Sequence, residues 1–254
     1  MLKVRVIPTL LWKNHGLVKG VGFDSWRRVG SVMPAIKVYN TREVDELVLV
    51  DITATAEGRE PDYEAVEDLS ADCFVPLTVG GGIRTVEHIQ RLLHAGADKV
   101  SVNSAAYTTP ELITVAANRF GTQCVVASID VKAVPGGGCE CVSHSGSAPR
   151  GFDPCDWAAR MEALGAGEIL LTSVERDGTM TGYDLELIRR VSDRVRIPVI
   201  ASGGAGNYQH LTEAVLEGGA SAVAAASIFH FTEQTPLGAK EHMAKSGIPA
   251  RRTA

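Results

Sequence analysis

Eight strand-like runs alternate with eight helical patterns along 254 residues, the chain echoes itself at half its length, and its glycines cluster where strands end. Together these observations predict an α/β fold: a (β/α)8 TIM barrel built from two half-barrel repeats, with residues 1–254 as one domain. The strand-like runs are Val4–Leu11, Glu46–Ile52, Val75–Val79, Lys99–Asn103, Cys124–Asp130, Glu168–Ser173, Pro198–Ser202 and Ala222–Ala226. Most are near-continuous apolar runs, as strands covered on both faces must be. Between them Val32–Val44, Tyr63–Ser70, Val86–His94, Pro110–Asn118, Pro154–Leu164, Leu185–Val191, Tyr208–Glu217 and Leu237–Lys245 carry apolar residues at three- and four-residue spacing, the helical period. Pro34 interrupts the first of these. Pro110 and Pro154 stand near helix starts, where a missing N–H costs nothing, and Asp153 and Asn207 suit the N-cap.

The internal echo is specific. Glu46-Leu47-Val48-Leu49-Val50 returns 122 residues later as Glu168-Ile169-Leu170-Leu171-Thr172, and Pro76 returns at the same spacing as Pro198. Ala95-Gly96-Ala97-Asp98 is matched by Gly218-Gly219-Ala220-Ser221. No linker-like Pro/Ser-rich stretch parts the halves, and Pro135–Gly138 reads as a loop after the fifth strand.

Composition narrows the function classes. A net charge of −5 with pI near 5.8 gives no basic footprint for nucleic acid. No apolar run reaches the length of a membrane span, and the N-terminus runs straight into a strand pattern, so no leader is expected. Five cysteines at irregular spacing, with Cys139-Glu140-Cys141 rather than a CxxC pair, fit a cytoplasmic chain with reduced thiols. The seven histidines form no helical metal pair, so neither a structural metal nor a cofactor is expected.

Chemistry belongs at the carboxyl ends of the strands. Two stretches stand out there: Leu77-Thr78-Val79-Gly80-Gly81-Gly82-Ile83 and Val199-Ile200-Ala201-Ser202-Gly203-Gly204-Ala205-Gly206. Each is a β-branched run, then glycines that let backbone approach a ligand, then a helical pattern whose first N–H groups favour an anion. Two such stretches at matching places read as two phosphate cradles, against two plain tight turns. Leu11, Asp51, Asn103, Asp130, Thr172, Ser202, and Ala226 with Ser227 also end strands, and Asp51, Asn103 and Asp130 converge on one mouth. A carboxylate ending the apolar run Val125–Ile129 is costly to desolvate, so Asp130 is either a working group or the cap of the loop after it. Lys19, after the first strand, either closes on an anion or is a solvated loop lysine, the second being the heavier reading. Asp177-Gly178-Thr179 either joins the second cradle or is a turn. At the opposite end Arg5, Glu46, Lys99 and Glu168 start strands one, two, four and six. Two cations and two anions there form a stabilising ring or a gate to something docked below.

These motifs resemble the cyclase subunit of imidazole glycerol phosphate synthase, the HisF family. The likeness runs from Val6-Ile7-Pro8 to Ser246–Pro249 and rests on Asp51-Ile52-Thr53-Ala54, Pro76–Arg84, Gly96–Asn103, Gly165–Ser173, Asp177-Gly178-Thr179 and Ile200–Gly206. The resemblance implies two phosphate sites at the mouth and a glutaminase (HisH-like) subunit on the barrel floor. Its ammonia would cross the ring of Arg5, Glu46, Lys99 and Glu168 to meet a bisphosphorylated ribulosyl aminoimidazole carboxamide. The products would be imidazole glycerol phosphate and aminoimidazole carboxamide ribotide. Family members use one aspartate ending strand one and one ending strand five. Asp130 matches the second, and Lys19, Asn103, Thr172, Asp177 and Ser202 match positions that contact the substrate or its phosphates.

Strand one departs from the family pattern. Pro8-Thr9-Leu10-Leu11-Trp12 places Leu11 where the family has Asp, and leucine transfers no proton. Asn14 and His15 are polar but lie in the loop. Ser25–Gly30 and Lys37–Leu47 are more similar to a side branch found beside surface-polysaccharide genes. That branch is thought to pass glutaminase ammonia to an ATP-dependent enzyme that amidates a nucleotide sugar. The leading expectation is therefore an ammonia-channelling barrel with weak or no cyclase activity. The alternatives are an active cyclase of histidine biosynthesis and a barrel that senses a phosphorylated metabolite.

Overall fold

The computed structural model describes residues 3–14 and 16–251. Met1, Leu2, His15 and the tail 252–254, on which parts of the sequence reading fall, lie outside the described residues. Along the chain come β1 (Arg5–Lys13), β2 (Gly16–Val21), β3 (Asp24–Gly30), α1 (Val32–Thr41), β4 (Leu47–Asp51), α2 (Tyr63–Ala71), β5 (Leu77–Gly80), α3 (Val86–His94), β6 (Lys99–Val102), α4 (Ser104–Thr108) and α5 (Glu111–Phe120). Then come β7 (Val125–Ala133), β8 (Cys139–Ser143), β9 (Ala148–Pro149), α6 (Pro154–Leu164), β10 (Glu168–Ser173), α7 (Leu185–Arg194), β11 (Val199–Ser202), α8 (Tyr208–Leu216), β12 (Ala222–Ala225), α9 (Ser227–Phe231) and α10 (Pro236–Lys245).

Strands β1, β4, β5, β6, β7, β10, β11 and β12 pair in parallel in that order, and β12 returns to β1, so the sheet closes into an eight-stranded barrel. The predicted (β/α)8 fold is the fold observed. Its register brings Leu11 beside Val50 and Asp130 beside Thr172. Alternate residues of each strand point inward. Ile7, Val48, Val126, Leu170, Ile200, Ala222 and Ala224 form one closed apolar cluster inside the barrel. The opposite faces of the same strands, Val6, Leu10, Leu49 and Ile129 among them, pack against the helices in a second, larger cluster.

Local chemistry sets the helix starts. Asp62, Thr85, Asp153, Asp184, Asn207 and Thr235 each accept a backbone N–H of the following first turn, as a capping side chain should. Pro34 sits in the first turn of α1, where it costs no hydrogen bond, and the helix stops at Thr41 rather than running to Val44. Pro135–Gly138 is the turn of the β7–β8 hairpin, with positive φ at all three glycines. No helix among the described residues is long and apolar enough to cross a membrane.

Two hairpins lie outside what the sequence pattern predicts. β2 and β3 fold back antiparallel on the end of β1, and β8 and β9 on the end of β7. They rise from opposite sides of the barrel and meet over its mouth, where Phe23 lies against Gly146. The first corrects the reading of Lys19: it lies on strand β2, not in a solvated loop, and only 3% of it is exposed.

Candidate functional site

At the floor the four charged strand starts close into a ring. Arg5 reaches Glu46 at 2.6 Å and Glu168 at 2.8 Å, and Lys99 lies 3.0 Å from both carboxylates. Thr78 donates its hydroxyl to Glu46 at 2.8 Å, so the most buried acid of the ring has a third donor. Burial works against the Arg5 charge, but Glu168 and Glu46 outweigh it and raise its pKa. Directly above sits the apolar layer of Ile7, Val48, Val126 and Leu170.

At the other end lies a cavity of about 400 Å³. Thr9 and Leu11 of β1, Ser101 and Asn103 at β6, Ser128 and Asp130 of β7, Thr172 of β10 and Ser202 of β11 line it. These are the inward positions two residues apart on each strand, so the polar mouth continues the apolar interior. Leu11 and Asp130 belong to β1 and β7, which stand four strands apart in the ring.

Asp130 is the exceptional group. Burial pushes its carboxyl up, the Asp177 charge pushes it further, and a hydrogen bond from the Asn103 amide at 2.8 Å pulls back; the result is about 7. Such a group holds and releases a proton near neutral pH. Asn103 Oδ1, Ser227 Oγ and Thr9 Oγ1 are buried without a partner among the described residues, although their residues line the cavity. Buried polar atoms normally have partners, so these three stand out among the described residues.

The glycine loops have the shape the sequence suggests. Gly81 and Gly82 follow β5 with φ of +102° and +72°, and Gly203 and Gly204 follow β11 with φ of +89° and +115°. A side chain on Gly81 would strike the Asp51 carbonyl, and one on Gly204 the Gly182 carbonyl. Beside the first loop Asn103 leads into α4; beside the second, Ala226 leads into α9 at Ser227. The two corners are 123 residues apart and repeat one another. Both helices are missing from the sequence reading because five residues are too few to show a helical period.

Other expected residues have settled partners. Lys19 holds both oxygens of Asp177, at 2.6 and 2.8 Å, and the Gly22 amide donates to the Asp177 carbonyl, which docks the β2–β3 hairpin on the loop after β10. Gly178 lies beneath Gly20 of that hairpin. Asp51 lines the cavity, but its Oδ1 accepts from the Thr53 and Ala54 amides and its Oδ2 from Arg59. It therefore shapes the loop after β4. Asn14 lies in the turn between β1 and β2. Thr9, Ser101 and Ser128 are absent from the sequence reading, although counting two residues back from Leu11, Asn103 and Asp130 finds them. His144, Phe23 and Trp26 also line the cavity, from the hairpins.

Fold and site together define a (β/α)8 barrel with an enclosed polar mouth and an ion-paired floor. A family model described as histidine biosynthesis protein matches residues 5–235. The chain belongs to that family, and the match supports a HisF-like barrel.

Proposed function

We propose that this barrel docks a glutaminase on its floor, takes ammonia through the ring of Arg5, Glu46, Lys99 and Glu168, and binds a phosphorylated ligand at its mouth, with weak or no cyclase turnover. HisF-like proteins generally work with a glutaminase partner. The observation that carries the reading is Leu11: it lines the mouth with Asp130, where acid–base chemistry needs a second proton-transfer group. The paired glycine loops at Gly81–Gly82 and Gly203–Gly204, with the unpartnered atoms of Asn103 and Ser227, support two phosphate sites. Lys19 and Asp177 hold the β2–β3 hairpin over them. The similarity of Ser25–Gly30 and Lys37–Leu47 to the polysaccharide-linked branch supports an ATP-dependent nucleotide-sugar amidating enzyme as the final user of the ammonia.

Asp130 favours a second reading, an active cyclase of histidine biosynthesis, because a carboxyl near 7 suits a general acid or base. An ammonium-driven cyclisation assay on the isolated chain, with the bisphosphorylated ribonucleotide, separates the two. No turnover from folded protein that binds the ribonucleotide is the expected result. Turnover at family-like rates overturns the first reading in favour of the second.

A further inference from the structure

Among the described residues, the walls of the mouth carry six titratable or charged side chains: Lys19, Asp51, Arg84, Asp130, His144 and Asp177. Lys19 and Asp177 satisfy each other, Asp51 is taken by Arg59 and its own loop, and Arg84 donates to the Gly58 carbonyl. Asp130 is bonded to Asn103. His144 stands apart: one ring nitrogen is fully engaged and the other makes no hydrogen bond to any described residue.

The engagement of Nδ1 is specific. Arg150 Nη2 lies 3.1 Å from it and Ser143 Oγ 2.9 Å, while Arg150 Nε donates to the same hydroxyl at 2.6 Å. A guanidinium only donates, so Nδ1 accepts and the ring proton belongs on Nε2. The backbone is fixed as firmly. His144 and Ser145 have φ of +51° and +54°, the paired left-handed turn of a tight hairpin. The His144 amide donates to Ser104 Oγ at 3.1 Å, beside the first glycine loop. On either side the turn is pinned by Ser145 Oγ on the Ile52 carbonyl at 3.0 Å and by Lys132 on the Gly146 carbonyl at 2.7 Å. Three ties, to Ser104, Ile52 and Lys132, fix the backbone of this turn. These ties hold the imidazole at the cavity wall.

We infer that His144 is a ligand-contacting residue: its Nε2–H donates a hydrogen bond to an oxygen of the phosphorylated ligand at the mouth, with Ser143 and Arg150 as its positioning residues. The inference rests on the reading that the mouth binds such a ligand. It gives the mouth a polar contact on the side of the first glycine loop, and it leaves the proton-transfer gap at Leu11 open, since a neutral Nε2–H is a donor and not a base.

Two measurements on the full chain test it. In a long-range 1H–15N spectrum, His144 should show the Nε2–H tautomer, and its Nε2 signal should shift when the bisphosphorylated ribulosyl aminoimidazole carboxamide is added. Calorimetric titration should then show about tenfold to a hundredfold weaker binding for His144→Phe, the loss expected for a hydrogen bond to a charged oxygen, with His144→Gln recovering part of it. Equal affinity of His144→Phe and the unsubstituted protein, or an unmoved Nε2 signal at saturation, overturns the role of His144 while leaving the mouth a binding site. No binding by the unsubstituted protein overturns the reading of the mouth as well.

Discussion

Placing a carboxylate at Leu11 is the sharpest test of the proposed reading of the mouth. Leu11 lies near the end of β1 and lines the cavity; its register partners are Val50 and Val18. It is only partly buried, so Leu11→Asp sacrifices about 1 kcal/mol of apolar burial. The gain is a second proton-transfer group four strands round the barrel from Asp130. One such group contributes roughly a hundred- to ten-thousandfold, or about 3–5 kcal/mol of barrier at about 1.4 kcal/mol per tenfold. That range sets the expected gain of Leu11→Asp in ammonium-driven cyclisation of the bisphosphorylated ribonucleotide. Leu11→Asn, polar but unable to accept a proton at neutral pH, should stay at the parent rate. Equal rates for Leu11→Asp and the parent, with both folded and both binding the ribonucleotide, would refute the idea that Leu11 alone limits the chemistry.

The geometry sets three further outcomes. Asp130 near 7 keeps its proton more tightly in the folded state than in the unfolded chain, whose carboxyl titrates at about 3.9; stability therefore falls as pH rises from about 4 to about 7, by up to about 4 kcal/mol. Asp130→Asn should melt higher than the parent at pH 8 and level with it near pH 4, and equal melting at both would sink the argument. Lys99→Glu sets three carboxylates around Arg5 and should cost about 2 kcal/mol, discounted from the ~3–5 of a fully buried pair because Lys99 keeps 16% exposure; in the glutaminase complex, glutamine should still be hydrolysed while ammonia fails to reach the mouth, and intact coupling would remove the gate. Gly81→Ala forces a side chain into φ of +102° and onto the Asp51 carbonyl, a cost of about 1–3 kcal/mol with lost ligand binding by calorimetry, whereas Gly30→Ala, in open space, should change neither.

The barrel is legible because its strands are buried on both faces and its outer helices on one, the two patterns a sequence displays most openly. Glu168–Ser173, Val86–His94 and Pro154–Leu164 begin and end where their residues say. The β2–β3 hairpin is not legible. Its second strand, with Asp24, Ser25, Arg27 and Arg28 exposed, buries no alternating face and looks like loop. Without it Lys19 reads as a solvated lysine, when the hairpin buries it against Asp177. Asp130 is legible because a carboxylate closing an apolar run has a desolvation cost that needs a reason. His144 is not, because its place depends on a turn with positive φ and on Arg150 and Ser104, contacts that only the folded chain makes.

Loss of the strand-one carboxylate need not disturb either end of the barrel, and the construction of the interior says why. The ring is set by the first residues of β1, β6 and β10 and by Glu46 just before β4, and the glycine loops by the residues just beyond β5 and β11. Between them lies the apolar layer of Ile7, Val48, Val126 and Leu170. Leu11 lies six residues along β1 from Arg5 and on a different strand from either glycine loop, so a change there need not disturb either. The same layer bears on the proposed traffic. An ammonium ion entering it would leave its charge unpaired, which is far costlier than passing a neutral molecule. On the proposed reading, ammonia therefore enters the layer as the neutral molecule. Such a barrel, on that reading, passes ammonia although Leu11 leaves Asp130 without a second proton-transfer group across the mouth.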